Sequence, residues 1–293
     1  MELNDLLIKK GIDPAQVIVM RHRPAEKGLR RILPWLVHER PELFNAYQQH
    51  HNGTQEKSLA ALVGKGWLAA FIGIRPGEAV FAGLYRIQGA RKVTHGEFWK
   101  IPQNAKLREH GMIGWTKALE DCSLWFDLVL ETTFGEWTGK LAVAWPPPER
   151  SWWRRAEKNV MPVLTISDES RFAEKMTDWQ DLVLSWGELH AIPASWRAAL
   201  GQWRGIYFIH DVSDGKGYVG SAGGAEHLLG RWLGYAKTGD GGNKLLVKRA
   251  PENFRFSILQ RVSPDMPVDE IVALEATWKK RLHTRAPHGL NAN

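Results

Sequence analysis

The chain has 293 residues, 44% of them hydrophobic, and a net charge of +7. This length admits one large domain or two ordinary ones, and this apolar content excludes a disordered chain. A single cysteine, Cys122, excludes an intramolecular disulfide and any multi-cysteine zinc site. No apolar run approaches the roughly 20 residues that span a bilayer, so no membrane partner is expected. The opening segment MELNDLLIKKGI has no apolar signal region, which leads us to expect a cytoplasmic protein. The basic balance suits a polyanionic partner, though it is a weak signal alone.

Residues 1–60 read as mainly helical, through LLIKKG and then GLRRILPWLVHERPELFNAYQQHH, with HHNGT as a helix end. From 61 to 195 the chain is richer in strand-like runs. WLAAFIGI ends at RPGE, AVFAGLYRI at QGAR, and KLAVAW at PPPE; SWWRRAEKN and PVLTI follow. These runs predict a small, strongly curved sheet or barrel with helical additions. Around Leu182–Leu189 and Trp196–Trp203 the spacing looks helical, with Pro193 as a break. Twelve of the fifteen tryptophans precede residue 200, and residues 201–293 are rich in glycine and basic side chains. The domain junction is therefore expected near 195–203, with the last domain over 200–293.

In GIYFIHDVSDGKGYVGSA, residues 205–222, a DG-containing turn joins two alternating runs, a strong hairpin signal. Alternation puts Tyr207 and Ile209 on one face of the first strand, where Tyr207 can share a face with Tyr218 of the second. A helix follows in which His227, Arg231 and Tyr235 stand four apart on one side. FRFSILQRV is a strand. PVDEIVALEATWKKRLHTR opens with proline and acids and closes with bases, as a helix should. In it Val268, Ile271, Glu275, Trp278 and Leu282 form a stripe with one carboxylate among apolar neighbours. Such a glutamate either binds a cation or hydrogen bonds in the core, or reaches solvent from the stripe edge.

These residues together resemble the GIY-YIG nuclease family. The hallmark tripeptides stand as Gly205-Ile206-Tyr207 and Tyr218-Val219-Gly220, valine replacing the commoner isoleucine. The family arginine falls on Arg231, thirteen residues after Tyr218, with Tyr235 one turn on; the glutamate falls on Glu275 and the asparagine on Asn291. The resemblance covers about 90 residues and implies a small antiparallel sheet flanked by helices. It implies a Mg²⁺-dependent endonuclease, with Mn²⁺ as a substitute, acting on DNA. Glu275 would be the metal ligand, a hard oxygen suited to an ion that otherwise keeps its waters. Arg231 would fork onto phosphate oxygens. Tyr207 would be the general base, Tyr218 and Tyr235 would orient water and phosphate, and Asn291 would brace the site. His227 and His210 are either participants or surface residues. Lys237, Lys244, Lys248 and Arg249 either form a solvated loop or contact the DNA backbone.

The N-terminal region resembles, faintly and without a defining motif, small barrels of the PUA/EVE-like kind, which hold a flipped base in an aromatic pocket. Trp67, Tyr85, Trp99 and Trp145 are candidates to stack such a base. Trp152, Trp153, Arg154 and Arg155 either touch DNA or form a packed corner after the polyproline turn. The whole chain is thus expected to be α+β, an endonuclease of the restriction or defence type whose N-terminal domain selects the target. A repair or mobile-element nuclease, or a non-catalytic nucleic-acid-binding protein on a nuclease fold, are the alternatives. One such site cuts one strand, so duplex cleavage implies a homodimer, sequential nicking or two bound enzymes.

Overall fold

The run Val17–His22 (β1), VIVMRH, is buried along its entire length, as a strand covered on both faces must be. It pairs in parallel with Trp67–Ile72 (β2) and antiparallel with Trp153–Arg155 (β6). The structure, a computed structural model, describes all residues except 117–121, 173–175, 225, 239–242, 248 and 293. The chain forms two compact units, Met1–Glu174 and Lys175–Asn293, and is mixed α and β in both.

In the first unit the helices are Leu3–Lys9 (α1), Lys27–Glu39 (α2), Pro41–Gln48 (α3), Gly53–Ala60 (α4), His95–Lys100 (α5) and Pro102–Glu109 (α6). The remaining strands are Glu78–Thr94 (β3), Cys122–Glu131 (β4), Leu141–Ala144 (β5) and Val163–Ile166 (β7). The sheet runs β6-β1-β2-β3-β5-β7, and β4 pairs with the far half of β3. Bulges at Ala70/Phe71 and at Ile87/Gly89 break the register of β3 with β2 and with β4. Each bulge bends and twists the strand locally, so one 17-residue strand serves ladders with β2, β4 and β5 and the sheet curls. On α2 the buried Leu29, Ile32, Leu33 and Leu36 follow helical spacing and turn to the core.

The second unit adds Val183–Ser185 (β8), Trp186–Leu189 (α7), Ala194–Leu200 (α8), Arg204–Asp211 (β9), Gly217–Ala222 (β10), His227–Thr238 (α9), Phe254–Val262 (β11) and Val268–Arg281 (α10). Its antiparallel sheet runs β10-β9-β11-β8. Ile206, Val219 and Ile271 form a core under α10, with Phe208, Leu259, Leu274 and Trp278 packed around it. No helix among the described residues is long and apolar enough to cross a membrane.

The first 60 residues are mainly helical, with one strand, β1, that lies inside the first sheet. Two expectations are corrected. The units divide between 174 and 175, ahead of the expected junction at 195–203. The reason is β8, which docks antiparallel on β11 and draws the intervening segment into the second unit. The stretch 182–189 is accordingly a strand followed by one helical turn, capped by the reciprocal Ser185–Glu188 box. HHNGT joins α3 to α4, which starts at Gly53 itself.

Candidate functional site

The β9–β10 hairpin pairs Tyr207 with Gly220 and Tyr218 with Ile209, so both phenols project from one face as neighbours on the diagonal. The two hallmark glycines are steric requirements. A β-carbon built on Gly220 would lie 2.4 Å from the Tyr207 hydroxyl oxygen. One built on Gly205 would lie 2.2 Å from the Gln260 carbonyl, beside the bulge of β11. Only a residue without Cβ lets Tyr207 lie flat across the hairpin.

From α9, Tyr235 completes a chain of phenols. Tyr207 donates to the Tyr235 hydroxyl at 3.2 Å, and Tyr235 donates to that of Tyr218 at 3.0 Å. Arg231, one turn back, donates from Nη2 to the Tyr235 oxygen at 3.3 Å and stacks over its ring. Tyr207 is 0% exposed and Tyr235 1%, whereas Tyr218 and Arg231 are half-buried. Burial pushes the Tyr207 phenol well above its ordinary range, and the neighbouring phenols push it further. Tyr218 is raised by burial, by Tyr235 and by the charge of Glu275. Tyr207 is thus the inner anchor of the chain and Tyr218 the member that reaches outward. A phenol base working at Tyr207 has no direct route to water in this state.

Glu275 stands on α10. Its carboxylate accepts a short hydrogen bond from the Ser221 hydroxyl and pairs with the Lys279 ammonium at 2.7 Å, one turn on. The stripe expected on this helix is narrower than its spacing implied. Val268 is 58% exposed and Leu282 39%, because the sheet covers only the middle of the helix. Ser221 and Lys279 went unread in the sequence, although Ser221 shares a strand face with Val219 and Lys279 sits four residues from Glu275. Asn291 braces the exposed edge of β10: its Oδ1 accepts from Val219 N at 3.0 Å and its Nδ2 donates to Val219 O at 2.8 Å. This side-chain amide replaces a missing neighbouring strand.

A cleft of about 270 Å³ opens beside this site, lined by Ser221, Glu226, His227, Arg231 and Ile271 among others. His227 opens α9 with a positive φ of 52° and borders the cleft. His210 stacks on Phe208 instead. Lys237 and Lys244 are exposed, and Lys248 lies outside the described residues. Arg249 is not a free cation for a backbone phosphate. It pairs with buried Asp211 at 2.5 Å and with Asp214 at 2.8 Å, clamping the β9–β10 turn. Arg154 is likewise engaged, donating to the Pro146 and Pro148 carbonyls and lying over Trp145. The packed corner is thus the role of Arg154. Trp153 and Arg155 are half-buried on β6, and Trp152 is exposed.

Of the four tryptophan and tyrosine candidates of the first unit, Trp67 and Trp99 are half-buried and Tyr85 and Trp145 are buried. Trp67 lies under Arg86 and Trp99 beside Arg108. Tyr85 and Trp145 are each 4% exposed, and Trp145 Nε1 donates to the Ser151 carbonyl. The hollow of that unit is lined by a different set, including Tyr47, Phe98, Trp115 and Trp152.

No family model, curated protein or solved structure matches this chain.

Proposed function

We propose that the second unit is a GIY-YIG-type nuclease that hydrolyses DNA phosphodiester bonds with a divalent cation, and that the first unit selects the target. The observation that carries this reading is the convergence of Tyr207, Tyr218, Tyr235 and Arg231 in one bonded chain over Gly220. Four residues scattered over three elements that serve only the fold have no need to share one polar network.

Hydrolysis of a phosphodiester requires a water aimed in line, a proton acceptor for it, and neutralisation of charge on the pentacoordinate phosphorus. Arg231 supplies a planar fork beside the cleft. Tyr218 is placed to hold the attacking water or a phosphate oxygen, and Tyr235 and Tyr207 hold Tyr218. No group of three or more His, Cys, Asp or Glu residues that could cage a metal exists among the described residues. The donors present suit a different ion: the Glu275 carboxylate and Ser221 hydroxyl are two hard oxygens at one place. They fit Mg²⁺ or Mn²⁺, which take one or two carboxylates and complete their shell with water and phosphate. Held by these two oxygens, such an ion would supply charge to the phosphate and would acidify water.

The Glu275–Lys279 pair favours one second reading. A carboxylate already neutralised at 2.7 Å needs no cation for its own stability, as in a nucleic-acid-binding protein that has no catalytic step. Incubating the chain with supercoiled plasmid and with unmodified and base-modified phage DNAs separates the two. Nicking with Mg²⁺ that stops in EDTA supports the nuclease. Binding without cutting under every metal supports the second reading.

A further inference from the structure

Two hollows of the first unit share the side chains of Tyr47 and Trp152. The larger chemistry lies in the first, a cavity of about 290 Å³. That is at the small end of ligand pockets, which run from roughly 300 Å³ upward. Its walls are aromatic: Tyr47, Phe98, Trp115 and Trp152 stand around it with His50 and His51. His50 stacks on Trp115 with ring centroids 5.1 Å apart. Burial pushes the imidazoles of His22 and His50 down to about 4, so these two rings are uncharged at neutral pH, and Glu26 is an acid on the same wall.

Asn104 is also on this wall and is 0% exposed. Its Nδ2 donates to the Phe98 carbonyl at 2.9 Å, which fixes the amide. Its Oδ1 is left buried with no hydrogen-bond partner. A buried acceptor in that state is costly unless a ligand donates to it. Flat aromatic walls and orphaned in-wall polar atoms, Asn104 Oδ1 with the Nε2 of His22 and His50, match a planar heterocycle that carries polar groups, an N–H among them, on its edge.

The second hollow has the opposite character. Arg21, Arg23 and Arg150 line it, with Glu149. Arg21 is 2% exposed, and its Nε and Nη1 have no hydrogen-bond partner, although Nη1 lies 3.9 Å from the Glu149 carboxylate. Nη2 donates to the Glu149 carbonyl, which holds the guanidinium plane in place. A buried guanidinium with open donors, flanked by two exposed arginines, is suited to phosphate oxygens.

We propose that the two hollows form one nucleotide site, with the base between Tyr47, Trp115 and Trp152 and the phosphate on Arg21, Arg23 and Arg150. The ligand is a phosphorylated nucleoside, either free or turned out of a DNA strand. The strand source rests on the nuclease reading above; the site itself rests only on the first unit. Extrusion from a duplex costs least at a mispaired or damaged base.

The test titrates the intact chain, without metal, against deoxynucleoside 5′-monophosphates, the matching nucleosides and inorganic phosphate, by calorimetry. A monophosphate should bind at least tenfold more tightly than its nucleoside or phosphate alone. Trp152 is 37% exposed, so Trp152→Ala should keep the fold. It should weaken nucleotide and nucleoside alike by about tenfold. The exposed pair Arg23→Ala/Arg150→Ala should bring the nucleotide down to nucleoside affinity and leave the nucleoside unchanged. Circular dichroism checks both variants for folding. Duplexes with one mispair, compared with fully paired duplexes, distinguish the sources. Preference for the mispair, competed by monophosphate and lost in Trp152→Ala, assigns the extruded base, whereas monophosphate binding without that preference assigns the free nucleotide. The proposal is overturned if no probe binds, or if binding is indifferent to both the tryptophan and the arginine changes. Because no cleavage is read, a dead nuclease leaves this result unaffected.

Discussion

The polar groups of the second unit's site bond mostly to one another, with Arg231 Nε left buried without a hydrogen-bond partner, whereas several in the first unit's hollows stay open. Three phenols, Arg231, Ser221, Glu275 and Lys279 all have partners within the protein. Asn104 Oδ1 and the Nε and Nη1 of Arg21 are buried with no hydrogen-bond partner. On the two proposals above, the contrast is one between two kinds of site. A catalytic constellation is held in register by its own hydrogen bonds before substrate arrives. A recognition pocket keeps its donors and acceptors open, because discrimination comes from leaving them unmet by the wrong ligand.

Changes to the second site should therefore lower the rate and spare binding. Arg231→Ala is expected to cost about 10³-fold in cleavage rate, as loss of a charge-stabilising donor generally does. Arg231→Lys should restore little, since the fork is lost. Single-turnover cleavage measures both, and rates near the parent in either variant would place Arg231 outside the chemistry.

The Arg249 clamp sets a smaller, structural expectation. Asp211 is 1% exposed at its side chain, so Arg249→Met leaves a buried carboxylate unpaired. That should cost roughly 3 kcal/mol of stability, read by denaturant unfolding. The clamp is also a pH element. Hydrogen bonding to Arg249 holds Asp214 down at about 2. Asp211 is lowered too: burial opposes this, but hydrogen bonds from Ser213 and Arg249 outweigh it. Both groups carry folded values below the ordinary carboxylate range of about 3.9. Their stabilisation is therefore present at neutral pH and is lost as pH falls through about 4 toward 2. The Arg249→Met variant should show a shallower acid decline than the parent; an identical decline would remove the clamp from the account.

Lys279 gives a sharper comparison of about tenfold. If the ammonium and a divalent cation share Glu275, Lys279→Met should lower the Mg²⁺ concentration for half-maximal cutting by about tenfold, or ~1.4 kcal/mol. A higher requirement would show that Lys279 helps to build the site. The smallest effect belongs to exposed Lys237 and Lys244. If each contacts one backbone phosphate, alanine should reduce the slope of log affinity against log salt by about 1 per residue. An unchanged slope would leave them as solvated side chains.

Much of the second unit was legible because its signals are local. The SDGKG turn sets the hairpin register, and register alone puts Tyr207 beside Tyr218. The acids at the start of α10 and bases at its end mark its limits. What was not legible depends on distant pairing. VIVMRH is too short to declare itself a strand until β2, some fifty residues on, lies alongside. Val183–Ser185 joins the second sheet only because β11 offers an edge. Arg249 read as a loop cation because its partners, Asp211 and Asp214, lie more than thirty residues away. The first hollow draws Asn104 from α6, Tyr47 from α3 and Trp152 from beside β6, a set no spacing connects.

The most direct measurement of the central claim compares cutting and binding in one variant. Glu275→Gln removes the carboxylate charge and little volume. On supercoiled plasmid with Mg²⁺ it should show no nicking, while the DNA affinity and the monophosphate titration match the parent chain. Melting temperature serves as the control, because the Glu275–Lys279 ion pair is lost. Full nicking by a folded Glu275→Gln protein, or equal nicking by the parent chain in EDTA, would contradict a metal-dependent nuclease centred on Glu275.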